Sequence, residues 1–163
     1  MREAQAWLVD RYENAYLATP SYEGGHWAVP ASPEVIEAMS TNFANPNTYP
    51  VDSRRIAYTL GFFSAKHLGA GQRYLMTFKD KDGNSFDGAN TYRLNVPAPA
   101  PVTQYWSATI YDRATHALIR NMQGPSRSSQ TEGLQKNPDD SIDVYFSQKA
   151  PAGKEFELSS YQR

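Results

Sequence analysis

The spacing of apolar residues along the chain changes near residue 72, from steps of three and four to steps of two. Steps of three and four place apolar side chains on one face of a helix, whereas alternation places them on one face of a strand. The pattern therefore predicts helices in the N-terminal part and strands in the remainder. The predicted helices are 2–18, a short helix beginning at Pro33, and 51–71; the predicted strands are 73–78, 91–96, 104–111, 116–121 and 141–146.

Turn signals between the predicted strands point to a fold class. Asp82 and Gly83 form a dipeptide that favours a hairpin turn, and alternating prolines in residues 96–102 interrupt strand pairing. A single helical turn is predicted within 128–136. Helices followed by a meander of short strands are typical of an antiparallel β-sandwich of jelly-roll type with N-terminal helices. The chain is therefore predicted to be mainly β.

The stretch "QYWSATIYD", residues 104–112, has two contrasting faces. Successive side chains of a strand point to opposite faces, so Trp106 and Ile110 are predicted to lie together in a core. The other set is a row of hydroxyl-bearing side chains, two of them aromatic, and is predicted to lie on the opposite face. This hydroxyl row consists of Tyr105, Ser107, Thr109 and Tyr111.

Two further predicted strands combine an apolar face with a polar face. The polar set includes Arg93 in one strand and Asp143 in the other. An antiparallel sheet with one solvated side has this pattern. The polar face is a plain solvated surface, a shallow polar and aromatic groove for a sugar-like or carboxylate ligand, or a contact surface with another chain. The candidate ligand-binding residues are Tyr105, Tyr111, Arg93, Arg120 and Asp143.

Composition and charge narrow the classes of partner. With 16 basic and 17 acidic residues the formal net charge is −1, which gives no electrostatic basis for binding nucleic acid or an anionic membrane. No apolar run approaches the ~20 residues of a membrane-spanning helix, so no membrane span is expected. Charged residues interrupt residues 1–16, so no signal peptide is visible. The absence of cysteine excludes disulfides, thiolate metal sites and cysteine nucleophiles.

The sequence predicts no cofactor and no metal site. The histidines lie far apart, and none occurs in the H-E-x-x-H pattern of zinc enzymes. The segment "KDKDGNSFDG", residues 79–88, begins like a calcium-binding EF-hand loop. Ser85 occupies the loop position that requires glycine, and Thr91 occupies the position that requires glutamate. We therefore interpret this segment as a hairpin turn.

The sequence pattern assigns no catalytic residues. A G-x-S-x-G nucleophile motif is missing, and the separation of two carboxylates, on which glycoside chemistry depends, is a property of the fold. Asp112 and Asp143 are conceivable members of such a pair. Arg120 is suited to bind a carboxylate or to form a salt bridge. We expect a ligand-binding or assembly role without demonstrated catalysis; the alternative is a hydrolase or lyase acting on glycans or related polymers.

Several collinear motifs are shared with a known bacterial family. They are "KDKDG", "TYRLNVP", Trp106-Ser107, Tyr111-Asp112 and "DVYFSQKAPAGKE". Over about residues 50–155 the chain resembles domain of unknown function 1214, the C-terminal module of a two-domain family whose preceding domain is numbered 1254. The resemblance implies a jelly-roll β-sandwich, self-association, and an exported, periplasmic location for full-length relatives. Without export the chain is cytoplasmic, so the compartment stays open.

The chain departs from that family at both ends. A lead of about 50 residues replaces the preceding domain, and "FELSSYQR" stands where relatives continue with further strands. We therefore expect residues 1–50 to be a helical extension or linker and residues 51–163 to be an incomplete sandwich module. An incomplete sandwich exposes a sheet edge, which we expect a second copy or another partner to cover. A truncated form with no independent role is a further alternative.

Overall fold

The computed structural model describes residues 2–11, 13–14, 20–21, 23–30, 33–44, 46–60, 73–115, 117–119, 124–153 and 158–160. The chain divides into two compact units, Met1–Ser85 and Phe86–Arg163. The predicted division at residue 50 marks where the family module begins, whereas these two units are defined by their compactness. The division at residue 50 therefore stays a prediction. Each unit is described by itself below.

Three helices are present in the first unit: α1 (Arg2–Arg11), α2 (Pro33–Ser40) and α3 (Val51–Leu60). α2 begins at Pro33 as predicted, because proline at the first helical position has a suitable φ and lacks an N–H that would have no partner there. Within the predicted helices 2–18 and 51–71, residues 15–18 and 61–71 lie outside the described part. None of the described helices is long and apolar enough to cross a membrane.

The core of the first unit gathers around Val35 of α2, which is 6% exposed. Its neighbours are partly buried apolar side chains, namely Trp7, Met39, Phe43, Met76 and Phe78. Trp7 therefore lies on the packed side of α1. Ile56, Leu60 and Phe63 recur at steps of three and four in the predicted helix 51–71, which predicts that they pack against the sheet. The structure does not describe the side chains of Ile56 and Leu60, and Phe63 lies outside the described residues.

A single bridging pair replaces the predicted strand 73–78. Met76 and Ala28 exchange two backbone hydrogen bonds, of 2.8 and 2.9 Å. Pro30 stands where the next donor of this ladder would be, and proline has no N–H. The pairing therefore stops after one residue pair, and the prediction of a regular strand here is wrong.

The Asp-Gly dipeptide forms a hairpin turn, as predicted. Residues 79 and 85 pair in antiparallel orientation, and Gly83 has a φ of +83°, in the left-handed region that glycine tolerates best. The carboxylate of Asp80 accepts backbone N–H bonds from Asp82 and Asn84, both of 2.9 Å. These bonds lower the pKa of Asp80, with the bond from the Asn84 backbone contributing most. Asp80 thus stabilises its own turn.

Five short strands form two small sheets in the second unit. They are β1 (Tyr92–Val96), β2 (Ser107–Thr109), β3 (Ser126–Ser128), β4 (Ile142–Ser147) and β5 (Leu158–Ser160). One sheet has the order β1-β4-β5, and the other consists of β2 and β3. The β1–β4 and β2–β3 pairs are antiparallel, whereas β4 and β5 are parallel. The fold is therefore strand-rich after its helices, as the alternation predicts.

The sequence pattern predicts neither β3 nor β5. The helical turn predicted for 128–136 does not form, because residues 129–130 and 132–133 make turns instead. β5 belongs to the terminal "FELSSYQR" segment and pairs in parallel with Tyr145–Ser147 of β4. Of the predicted strand 116–121, Leu118 pairs with Tyr111, and residues 116, 120 and 121 lie outside the described part.

β4 is the central strand of its sheet, and Val144 in its middle is 0% exposed. The sequence predicts a solvated polar side for this strand. Ser141, Asp143 and Ser147 are instead buried, although Arg93 on β1 is exposed. Polar side chains can be buried when hydrogen-bond partners replace water. The neighbouring strand and turn provide such partners, so the prediction of a wet face is wrong for β4.

Candidate functional site

The predicted hydroxyl row lies on the exposed side of β2 and its flanking residues. Exposure alternates from Tyr105 to Tyr111, with odd-numbered positions exposed and even-numbered positions half-buried. The two tyrosines are 53% and 52% exposed. Trp106 lies on the other side, as predicted, but it is half-buried rather than fully buried. The two-residue period of a strand therefore separates the two sets of side chains as expected.

Pairing with β3 widens the row into a surface. Ser107 faces Ser128, and Thr109 faces Ser126. Directly opposite residues of an antiparallel pair project to the same side of the sheet. The hydroxyl of Thr109 donates to the hydroxyl oxygen of Ser126 at 3.1 Å. We name this surface the hydroxyl face; it consists of Tyr105, Ser107, Thr109, Tyr111, Ser126 and Ser128.

The charged residue of β3, Arg127, belongs to the other side of this sheet. It faces Ala108, and its guanidinium donates to the backbone oxygens of Gly124 at 3.3 Å and Ser126 at 3.0 Å. Burial lowers the pKa of Arg127, because the charged form loses solvation by water. The hydroxyl face therefore offers hydroxyls and aromatic rings and no ionised side chain.

Arg93 and Asp143, two of the predicted ligand-binding residues, bind each other. Nη1 of Arg93 on β1 lies 3.5 Å from Oδ2 of Asp143 on β4. Asn95, directly opposite Asp143, donates from Nδ2 to Oδ1 at 2.9 Å. The side chain of Asp143 is 9% exposed, whereas that of Arg93 is 63% exposed. A carboxylate this buried needs such partners, so both oxygens of Asp143 are engaged within the sheet.

Ser141 extends the cluster to the turn before β4. Its hydroxyl accepts hydrogen bonds from Nδ2 of Asn95 and of Asn137, both of 3.0 Å, and donates to Oδ1 of Asp139 at 2.6 Å. One donated and two accepted bonds are the full capacity of a hydroxyl. The side-chain bond from Ser141 is the largest cause of a lowered pKa at Asp139. This cluster stabilises the sheet and has no capacity left at Ser141 for a ligand.

The five predicted site residues therefore fall into separate groups. Tyr105 and Tyr111 lie on the hydroxyl face, Arg93 and Asp143 form a pair in the other sheet, and Arg120 lies outside the described residues. Among the described residues, no hydrogen bond, ion pair or ring contact joins either tyrosine to that pair. A common concave surface for all five stays a prediction.

Sequence reasoning missed Ser126, Ser128 and Asn95. Serine is common in turns and has little preference for strands, so the β3 segment resembles a loop. Residues 126–128 contain no apolar side chain, so the alternation of apolar and polar residues that indicates a strand is missing there. Asn95 carries no signal of its own, because its importance depends on which β4 residue it faces.

The acidic side chains of the described part do not form a metal-binding group. No set of three or more His, Cys, Asp or Glu side chains there is placed to hold a metal ion. The calcium-like segment uses Asp80 to bind its own backbone, as described above.

Comparison with protein families agrees with the sequence motifs. The family model described as "Protein of unknown function (DUF1214)" matches residues 71–157, more than half of the chain. The chain therefore belongs to the DUF1214 family. No curated protein matches it. The matched region contains β1 to β4, and so both the hydroxyl face and the Arg93–Asp143 pair, but the family description assigns no reaction.

Proposed function

We propose that this chain is a binding module without catalytic activity, and that its hydroxyl face takes a neutral, polyhydroxylated ligand such as a linear oligosaccharide. The observation that carries the proposal is the position of Tyr105 and Tyr111. Both are about half exposed, and they flank Ser107 and Thr109 on one side of β2. Two exposed aromatic side chains in one row with hydroxyl groups between them favour a surface for interaction.

Tyrosine and serine supply the two kinds of contact that a sugar requires. The face of a tyrosine ring offers apolar area to the C–H groups of a sugar ring, and its hydroxyl offers a hydrogen bond at the rim. A serine or threonine hydroxyl donates one hydrogen bond and accepts two, which matches the hydroxyl groups of a sugar. The hydroxyl face combines both groups without any charge.

The length and the neutrality of the hydroxyl face favour an extended, uncharged ligand. Tyr105 and Tyr111 are separated by about 20 Å if each residue step has the rise of an extended chain. A carboxylate ligand would need a cation beside the tyrosines. Arg127 lies on the other side of this sheet, and Arg93 is bound to Asp143. None of the six side chains of the hydroxyl face is ionised, which favours a neutral oligosaccharide over an acidic ligand.

The alternative of a hydrolase or lyase has less support. Glycoside hydrolases place two carboxyl groups roughly 5 to 10 Å apart, on either side of the bond that breaks. Asp143 is buried and bound to Asn95 and Arg93. Asp112 accepts bonds from the backbone N–H and the hydroxyl of Thr115. Both candidate carboxylates thus have roles in local structure, which favours binding without catalysis.

We also propose that the two small sheets are parts of the jelly-roll β-sandwich that the family resemblance implies. A sandwich requires one apolar side on each sheet. Leu94 and Val144 supply it in the first sheet, and Trp106 and Ile110 supply it beside β2. An experimental structure in which these two apolar sides face away from each other would contradict this part of the proposal.

Calorimetric titration of the chain with linear hexasaccharides of glucose, xylose or N-acetylglucosamine tests the binding function. We expect saturable binding of at least one of them. The Tyr105→Ala/Tyr111→Ala variant should bind at least tenfold more weakly, a loss of about 1.4 kcal/mol or more, because both stacking surfaces are removed. A monosaccharide should bind much more weakly than the hexasaccharide, since it reaches one tyrosine at a time.

Tyr49→Ala is the matched control for that experiment. Tyr49 is 57% exposed and is not one of the hydroxyl-face residues, so its removal should leave binding unchanged. Thermal unfolding of each variant shows whether the fold is intact. Failure of every hexasaccharide to bind, or an equal loss of affinity in Tyr49→Ala, would refute the proposed function.

A further inference from the structure

We propose that two copies of the chain pair through β2, antiparallel and around a two-fold axis at Ala108. The two β2–β3 sheets would then join into one four-stranded sheet. The inference is independent of the proposed function, because it concerns the edge of β2, whereas a ligand would lie on the face of the sheet.

The backbone of β2 has an edge that this pairing can use. The N–H of Ile110 donates to the residue before β3, and the carbonyl of Trp106 accepts from the residue after it, so even-numbered backbone groups point to β3. Backbone groups alternate in direction along a strand. Those of Ser107 and Thr109 therefore point away from β3. In the part of the chain that the structure describes, β3 is the only strand paired with β2.

The residues around Ala108 are nearly symmetric in chemical character. A two-fold axis there places each residue opposite the one that is equally far from Ala108 in the other copy. The facing pairs are Tyr105 with Tyr111, Trp106 with Ile110, and Ser107 with Thr109. Facing strands are stabilised by three kinds of cross-strand pair: two aromatic residues, an aromatic with a β-branched residue, and two hydroxyl-bearing residues.

The same axis aligns the open backbone groups. Ser107 of one copy and Thr109 of the other become directly opposite residues. Both have backbone groups that point to the new partner, so each such pair exchanges two hydrogen bonds. The axis generates this pair twice. A shift of the axis by one residue would bring Tyr111 opposite Ser107 and would lose the aromatic pairing, which favours Ala108 as the centre.

Nothing between Tyr105 and Tyr111 opposes self-pairing. Natural edge strands use charged residues and prolines to prevent contact between sheet edges. The segment from Tyr105 to Tyr111 contains neither. β1 is also at the edge of its sheet, but it carries Arg93 and is followed by Pro97. The chain thus has these devices at β1 and lacks them at β2; β5, the other outer strand of the first sheet, also lacks them, but its three residues do not provide the symmetric pairs found around Ala108.

Sedimentation equilibrium of the full chain over a wide range of concentrations tests the pairing, with two charge variants. Ser107→Lys/Thr109→Lys places two ammonium groups opposite each other on both sides of the axis. Ser107→Lys/Thr109→Glu places an ammonium group opposite a carboxylate instead. The work is done near 0.1 M salt, where charges within about 10 Å still interact. Both positions are exposed, and circular dichroism checks that both variants fold.

We expect the unchanged chain to show a monomer–dimer equilibrium. The two-lysine variant should dissociate at least tenfold more readily, and the lysine–glutamate variant should dimerise as well as the unchanged chain or better. A chain that is monomeric at every concentration would overturn the inference. So would equal weakening of the dimer in both variants, because only the two-fold register distinguishes them. A monomer that still binds a hexasaccharide would overturn this inference alone and leave the proposed function standing.

Discussion

At the scale of the residue, Asn95 explains why the polar side of β4 is buried rather than solvated. Its amide nitrogen donates to both Asp143 on β4 and Ser141 just before β4, so two buried side chains receive hydrogen bonds from one side chain of β1. Such bonds largely offset the cost of removing polar groups from water. The sequence shows that these side chains are polar. Whether they are buried depends on the register between β1 and β4, and the pattern of one strand alone does not give that register.

Asn95→Ala should therefore destabilise the chain by about 1 to 3 kcal/mol, because Oδ1 of the buried Asp143 loses its hydrogen bond and Ser141 loses one of its two donors. The measurement is the free energy of unfolding from urea denaturation. Asn84→Ala is the matched control, because the Asn84 side chain is exposed and makes one long bond of 3.4 Å to Asp80. The control should change stability by less than about 0.5 kcal/mol. Similar losses in both variants would show that the Asn95 cluster does not stabilise the sheet.

At the scale of the element, strands with a buried apolar side were predictable and serine-rich strands were not. The predicted strands 91–96 and 141–146 agree within one residue with β1 and β4, because apolar side chains alternate clearly in both. β3 and β5 each have three residues and two serines, and they exist because a neighbouring strand pairs with them. Segment 73–78 is predicted as a strand because its apolar residues alternate, but it forms only the single bridging pair between Met76 and Ala28. Alternation alone therefore does not make a strand where no extended neighbour pairs with it.

The turn that leads into β3 depends on contact between Gly124 and Arg127. Gly124 has a φ of +67°, and a Cβ atom at this position would overlap the Arg127 guanidinium, which donates to the carbonyl oxygen of Gly124. Gly124→Ala should therefore cost about 1 to 2 kcal/mol for the left-handed backbone, and a further amount for displacing the guanidinium. When Arg127 is first replaced by alanine, Gly124→Ala should no longer carry the cost of displacing the guanidinium. The double-mutant cycle should therefore give a coupling energy of at least about 0.5 kcal/mol.

Gly153→Ala is the control for this cycle. Gly153 has a φ of +74°, and nothing lies within 4 Å of a Cβ placed there. This substitution should carry the backbone cost alone, with the same value in both Arg127 backgrounds. If the Gly124 and Arg127 substitutions are additive in urea denaturation, the guanidinium does not constrain the turn.

At the scale of the whole molecule, the candidate surface was predictable in part. The period of two along residues 104–112 places Tyr105 and Tyr111 on the exposed side, and the structure agrees. The sequence could not show that Ser126 and Ser128 complete that surface, because these residues come from another strand, β3. Nor could it show that Arg93 and Asp143 bind each other, since this requires the β1–β4 register.

The position of the ligand is tested most directly by titrating an isotope-labelled chain with a hexasaccharide that binds. The measured quantity is the change in the chemical shift of each backbone amide. We expect the hydroxyl face to receive the ligand. We predict that the largest changes occur at Ser107, Thr109, Ser126 and Ser128 and extend to the two flanking tyrosines. Changes centred on Arg93 and Asp143, or within the first unit, would contradict this expectation.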